Sequence, residues 1–367
     1  MTPDAPLLKL EILNNVFSFI IYSASMKYNL LGNTGVLVSE LCFGTMTFGG
    51  QGHWEAIGRQ QQDEVNELMK IAIDAGINFI DTANVYSFGL SEQMLGASLK
   101  QTGLDRQSLF IATKVRGRMG PGINELGLSR YHIFQSIDES LLRLQTDHID
   151  LLYVHGVDFA TSVEQIVHTL HDVVQSGKVR YIGVCNWPSW MVMKALGIAR
   201  QHGWHEFATL QYFYAAANRD AEHDLLPLAQ DQNLAFMPWS PLAGGFLSGK
   251  FTRDQTNTGG QSRRDNFDFP VINKERAYDI IDVLLELAKN YKVSAAEVAL
   301  AWVRQQKGIT STIIGAKNPE QLRANIHSVS FNLNPDELSR LNEVSKPEKT
   351  YPGWMVERQM NDRYPAN

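Results

Sequence analysis

From about residue 41 onward the chain alternates short runs of β-branched and aromatic residues with longer amphipathic segments. The strand-like runs cover residues 41–44, 78–81, 109–114, 148–155, 181–185, 209–212, 234–239 and 311–315. Helical periodicity fills the gaps, as in 63–74, 131–143 and 162–175, the last with Val163, Ile166, Val167, Leu170 and Val174 on one face. Strands separated by helices pair in parallel, because a parallel crossover needs a connection of helical length. Eight such units predict one closed (β/α)8 barrel rather than two domains. An open doubly wound sheet would carry G-x-G-x-x-G after an early strand, and no such element is present.

Two additions to the barrel are expected. Residues 28–41 read as a hairpin turning at Asn33-Thr34-Gly35, placed to plug one end. A long insertion between the seventh and eighth strands holds the polar stretch 252–268 and helical patterns at 274–289 and 294–306. Further helix is expected at 319–325 and 335–344, then an irregular tail from Lys346, so the domain spans 26–345 and the tail 346–367. Residues 1–25 read as an extension, or as sequence upstream of a start at Met26. Their apolar run 16–21 is too short to span a membrane, and Asp4 and Glu11 face only Lys9 where an export signal would be basic.

A net charge of −6 with no dense Lys/Arg run argues against nucleic-acid or anionic-membrane partners. The two cysteines, Cys42 and Cys185, have neither disulfide nor metal spacing, which fits a reduced, cytoplasmic setting. The pairs His168/His171 and His202/His205 lack a completing ligand set, so they read as solvated helix-face residues and no metal is expected. Gly244 to Gly249-Lys250 imitates a phosphate loop, but Phe251 stands where Ser or Thr would hold magnesium.

Barrel active sites gather at the C-terminal strand ends. There Asp81 ends the second strand, Lys114 the third and His155 the fourth, with Tyr86 in the loop before a helix that Ser91 is positioned to cap. Alone, each has an ordinary explanation: a turn cap, a surface lysine, a packing aromatic, a rim histidine. Together they suit proton delivery to a carbonyl oxygen. A free tyrosine is a poor acid at neutral pH, and a nearby ammonium eases loss of its proton. Asp81 would keep Lys114 charged, and His155 would orient the carbonyl. The hydride must come from a nicotinamide cofactor, since no side chain supplies one.

These residues resemble the aldo-keto reductase family. The D-x-x-x-x-Y element is Asp81-Thr82-Ala83-Asn84-Val85-Tyr86, continued by Gly89 and Ser91-Glu92; the strand lysine and histidine are Lys114 and His155. The likeness runs from about Met26 to Val344 and extends to aryl-alcohol-type reductases and potassium-channel β-subunits. It implies NADP(H) binding and reversible reduction of a small carbonyl substrate. The family's channel subunits often lack the histidine, so its presence here favours catalysis over the alternative of a nucleotide-binding regulatory protein.

The resemblance also implies a cofactor site. Gly44, Thr45 and Met46 would line the nicotinamide ribose, with Cys185, Asn186 and Gln211 at the carboxamide; Cys185 replaces the usual serine, and a thiol is the weaker donor. Trp239, Ser240, Pro241 and Leu242, on through Gly244 to Lys250, would stack on the ring and wrap the pyrophosphate. Gly315, Lys317, Gln321 and Asn325 match the adenosine end, and Lys317, assisted by Arg263 or Arg264, would offset a 2′-phosphate. Residues 48–54, Trp187, Trp190 and the tail around Tyr351 and Trp354 are expected to wall the substrate pocket. Homo-oligomerisation and the identity of the substrate stay open.

Overall fold

The computed structural model describes residues 26–363 apart from positions 261 and 266, so the reading of residues 1–25 lies outside the described residues. A two-stranded antiparallel hairpin, β1 (Tyr28–Leu30) and β2 (Leu37–Ser39), comes first. Eight parallel strands follow: β3 (Leu41–Gly44), β4 (Phe79–Asp81), β5 (Phe110–Val115), β6 (Ile149–Val154), β7 (Val179–Cys185), β8 (Thr209–Phe213), β9 (Ala235–Trp239) and β10 (Thr312–Ile314). Their order is β10-β3-β4-β5-β6-β7-β8-β9, and every neighbouring pair is parallel. The two ends of that order meet where the Thr310 N–H donates to Phe236 O (2.9 Å) and the Phe236 N–H donates to Thr310 Oγ1 (3.1 Å). The sheet therefore closes into the expected (β/α)8 barrel.

Period-two alternation decides what fills it. Cys42, Phe79, Phe110, Ala112, Leu151, Tyr153, Cys185, Ala235, Met237 and Ile313 form one buried cluster inside the barrel. Their sequence neighbours Leu41, Phe43, Ile80, Ile111 and Leu152 belong to the other cluster, shared with the surrounding helices. Leu31 and Val38 of the hairpin join the inner cluster, both fully buried, so the hairpin does plug one end. Gly32 is required at its turn. Its φ is 57°, and a Cβ there would stand 2.8 Å from Asn233 O and 2.9 Å from Ala208 O.

The helices of the crossovers are α1 (Gln62–Asp74), α2 (Leu90–Thr102), α3 (Arg130–Leu144), α4 (Val163–Gln175), α5 (Ser189–His202) and α6 (Leu225–Asp231). The long insertion carries α7 (Lys274–Tyr291) and α8 (Ala295–Arg304); α9 (Pro319–His327), α10 (Pro335–Val344) and α11 (Gly353–Arg363) follow β10. Their starts are fixed by local chemistry. Ser129, Ser162, Asn273, Ser294, Asn318 and Asn334 each accept a backbone N–H of the first turn through the side chain. On α4 the buried stripe ends with Val173, while Val174 is half-buried.

The tail is not irregular throughout. Residues Gly353–Arg363 form α11, begun by the Met355 and Val356 N–H groups donating to Pro352 O (2.9 Å each). Its exposed surface lacks the apolar stripe that makes a helix visible in sequence. The four histidines are not all solvated either. His171 and His205 face each other (Nδ1 to Nδ1, 2.9 Å), while the exposed His168 and His202 stack on Trp204 with centroids 4.6 and 4.4 Å away. Among the described residues no helix is long and apolar enough to cross a membrane, and no group of three or more His, Cys, Asp or Glu could hold a metal ion.

Candidate active site

Inward-facing positions recur every second residue along a strand. Phe79, Ala112 and Tyr153 lie in the inner cluster, so Asp81, Lys114 and His155, two residues further on, are the next inward positions toward the C-terminal rim. Tyr86 reaches the same point from the loop after β4, where the short 3-10 turn Tyr86–Gly89 bends through left-handed backbone at Ser87 and Phe88.

Lys114 is the hub. Its Nζ donates to Asp81 Oδ1 (2.5 Å), to Thr82 O (2.8 Å) and to the Tyr86 hydroxyl (3.2 Å). The other carboxylate oxygen, Oδ2, accepts from Gln211 Nε2 (2.8 Å). Side-chain exposure is 0% for Lys114 and 4% for Asp81, so each charge depends on the other. The His155 ring meets Tyr86 edge to face (centroids 5.8 Å, 77°), and Trp54 packs against Tyr86 in the same manner (5.4 Å, 64°).

Burial shapes the proton affinities of these groups. Burial works against the Lys114 ammonium, but Asp81, then Tyr86 and Cys185, outweigh it and hold Lys114 above its ordinary value. Burial is also the largest influence on Tyr86 and raises it; the charge and hydrogen bond of Lys114 pull it down, and Asp81 pushes it up. The net effect is a phenol less acidic than free tyrosine. Lys114 does favour proton loss as expected, yet burial outweighs it. Burial, followed by the charges of Lys114 and Arg116, holds His155 well below its usual value, so the imidazole is neutral.

The remaining sequence-predicted positions fall along the same rim. The Thr45 N–H donates to Asp81 O (2.8 Å), and the Ser91 hydroxyl donates to Thr45 O (2.9 Å). Ser91 is thus not a helix cap. It lies inside α2, whose cap position is Gly89, and it ties the loop after β3 to the helix. Cys185 is buried in the inner cluster, and burial pushes its thiol up. Asn186 accepts from Trp239 Nε1 (3.1 Å), and Trp239 stacks on Phe213 (5.0 Å) and Phe269 (5.8 Å). Ser240 Oγ accepts the Gly244 N–H (2.8 Å), Asn325 Nδ2 donates to Gly315 O (3.0 Å), and Gln321 Oε1 accepts the Lys317 N–H (3.0 Å).

Cations gather at that far end. Lys317 is lowered by burial and then by Arg263 and Lys250, and Arg263 is lowered to about 10 by burial and then by Arg264. Arg263 Nε is buried without a partner, and none of Lys250, Arg263 and Lys317 forms a salt bridge among the described residues. Arg264 has a structural task instead: its terminal nitrogens donate to Ala243 O (2.6 Å), Pro270 O (2.9 and 3.0 Å) and Asp268 Oδ1 (2.6 Å).

Two expected pocket walls, Phe48 and Trp187, are buried. Phe48 is fully buried against Phe43, and Trp187 is 1% exposed, with its indole N–H donating to Gly156 O (2.9 Å). Trp190 is exposed on α5, and Tyr351 and Trp354 pack on each other in the tail. Two contacts went unread in the sequence: the Thr82 carbonyl under Lys114 and the Gln211 amide on Asp81. Strand pairing offers a signal for the second, since Gln211 on β8 is registered beside Cys185 of the inner cluster on β7.

The family model for the Aldo/keto reductase family matches residues 40–346. The oxidoreductase YrpG of Bacillus subtilis is 37% identical over 327 residues, covering 87% of this chain and 96% of that protein. Versiconal hemiacetal acetate reductase of Aspergillus parasiticus is 32% identical over 351 residues, covering 89% and 99%. An aryl-alcohol dehydrogenase of Pestalotiopsis microspora is 33% identical over 318 residues, covering 85% and 80%.

Removing one partner of a buried pair leaves an uncompensated charge. Asp81→Asn is expected to lower unfolding stability by about 3–5 kcal/mol, and replacing both partners with Asp81→Leu and Lys114→Met recovers much of that loss. Urea unfolding measures both. An Asp81→Asn protein as stable as wild type contradicts the pairing.

Proposed function

The chain belongs to the aldo/keto reductase family, and from that premise we propose that it reduces aldehydes or ketones reversibly with NADPH, with Tyr86 as the general acid. The observation that carries this reading is the buried hydrogen-bonded set of Lys114, Asp81 and Tyr86 with a neutral His155 against the Tyr86 ring.

A carbonyl oxygen gaining negative charge needs a proton donor and an orienting hydrogen bond. Tyr86 supplies the proton from its hydroxyl. As the phenolate forms, the Lys114 ammonium 3.2 Å away compensates its charge. Asp81 fixes the ammonium and Gln211 fixes Asp81, so no reorganisation is needed at that moment. Neutral His155 donates an N–H toward the carbonyl oxygen and does not compete as an acid. NADPH, when bound, supplies the hydride.

Cations that form no salt bridge among the described residues suit a phosphate-rich cofactor. Lys250, Arg263 and Lys317 would hold its phosphates, with Lys317 reading the 2′-phosphate that separates NADP from NAD. Gly44, Thr45 and Met46 would line the ribose side, and Cys185, Asn186 and Gln211 the carboxamide. The amide N–H that Gln211 donates to Asp81 leaves its carbonyl oxygen for that contact. Arg264 serves by shaping the loop rather than by touching the cofactor. Two buried free cysteines, Cys42 and Cys185, fit a reducing cytoplasm.

NADPH oxidation with reactive aromatic aldehydes tests the reading. The phenol is the active form in reduction, and its pKa is raised. The rate should therefore stay flat through neutral pH and decline only above the ordinary tyrosine value of 10.0. A decline beginning near neutrality contradicts Tyr86 as the acid, and NADPH binding without turnover of any aldehyde would mark a nucleotide-binding partner protein instead. For the cofactor, Lys317→Ala should weaken NADP binding about tenfold or more, as one charged hydrogen bond is worth roughly 1.5–3 kcal/mol, with a much smaller effect on NAD. Fluorescence titration of both nucleotides measures this, and equal losses contradict the assignment.

A further inference from the structure

Arg116 follows β5 directly, two residues beyond Lys114, and is exposed. Its φ of 153° lies in backbone territory that favours glycine. A strained residue held beside a reactive centre is a reason to ask what it does there. Its side chain crosses to the loop after β6. Nε donates to Val157 O (3.1 Å), and a Cβ built on Gly156 would stand 3.7 Å from Arg116 Cδ. Gly156 and Val157 are the two residues after His155, and Gly156 O is also held by the Trp187 indole. The guanidinium is thus anchored to the backbone that carries His155, and its charge contributes to keeping that imidazole neutral.

Only Nε is engaged. No carboxylate lies within 4.0 Å of Arg116 among the described residues, whereas Arg106, Arg143, Arg180 and Arg304 each face one. Asp158, the acid of the same loop, accepts from the Leu128 N–H (2.6 Å), the Ala160 N–H (2.9 Å) and the Thr161 hydroxyl (2.9 Å). Arg118, the next basic side chain, is turned into its own loop by Gly120 O and Gly122 O. Arg116 therefore offers the two terminal nitrogens of a planar fork at the rim, and such a fork matches the two oxygens of a carboxylate.

We propose that Arg116 selects carbonyl substrates that carry a carboxylate at the end remote from the reacting carbon. The proposal rests on the reading of this site as a carbonyl reductase. The anion is held by the guanidinium, whose position is set by Val157 O. The carbonyl then points at His155 and Tyr86, because the same backbone carries both the guanidinium and the imidazole. Arg116 acts on substrate selection and orientation and takes no part in proton transfer.

Kinetics with NADPH on 4-formylbenzoate and on its methyl ester test this. Arg116→Gln should lower the acid-to-ester ratio of kcat/KM about tenfold, through KM for the acid, as expected for loss of one charge-assisted contact. Arg116→Lys should recover part of the ratio, since it keeps the charge and loses the fork. Arg116→Gly, which relieves the backbone, should show the same fall with an unchanged melting temperature, so misfolding is not the cause. An unchanged ratio in Arg116→Gln overturns the proposal. If neither aldehyde is reduced, the carbonyl-reductase reading fails separately, and calorimetric titration with benzoate decides the anion site: binding weakened in Arg116→Gln supports it, and absent or unchanged binding overturns it.

Discussion

The ion pair between Lys114 and Asp81 is the constraint on which the rest of the rim depends. Two opposite charges inside a barrel lose most of their hydration, and only close pairing with further hydrogen bonds makes that tolerable. The barrel supplies both. Asp81 and Lys114 lie at inward positions of adjacent strands, β4 and β5, which are registered in parallel. The carbonyl of Thr82 and the amide of Gln211 then take the remaining donor and acceptor positions. Moving either strand by one residue would turn a charge outward into the helix layer. Register and electrostatics are one requirement here.

The neighbours of that pair follow from it. Tyr86 is buried and would be left without a hydrogen bond if Lys114 turned away, so the ammonium fixes the hydroxyl as well as the carboxylate. The same ammonium, after burial itself, keeps His155 uncharged. Burial, against the pull of that ammonium, holds the phenol protonated, while burial and the ammonium together hold the imidazole neutral. The hairpin plug at one end and the cation group near Lys317 at the rim are built from different residues, and neither alters this arrangement.

Much of this is legible in the sequence. The eight strand runs matched because apolar period two and capped helices agree with the closed topology, and Asp81, Lys114 and His155 were visible as polar groups ending apolar strands. The misreadings have physical causes. Ser91 looked like a cap, but its hydroxyl bonds a carbonyl from a loop 46 residues away. Trp187 looked like a pocket wall, but its indole N–H reaches Gly156 and so draws the ring inside. The described side chains of the helix over Gly353–Arg363 form no buried stripe, so no periodic signal marks it in the sequence. Net proton affinity was the least legible property. Sequence shows that a lysine is near a tyrosine, whereas depth of burial, which decides the balance, belongs to the folded chain.

On the proposed mechanism the phenol of Tyr86 delivers the proton, and Lys114, Asp81 and Gln211 prepare it. Single-turnover reduction of a reactive aromatic aldehyde by the NADPH complex, compared between wild type and Tyr86→Phe, isolates that step. Phenylalanine preserves the ring that packs on His155 and Trp54 and removes only the hydroxyl. NADPH binding is expected to be unchanged and the rate lowered by about 10²–10⁴, the usual contribution of a positioned acid. Equal rates in the two proteins would contradict the mechanism.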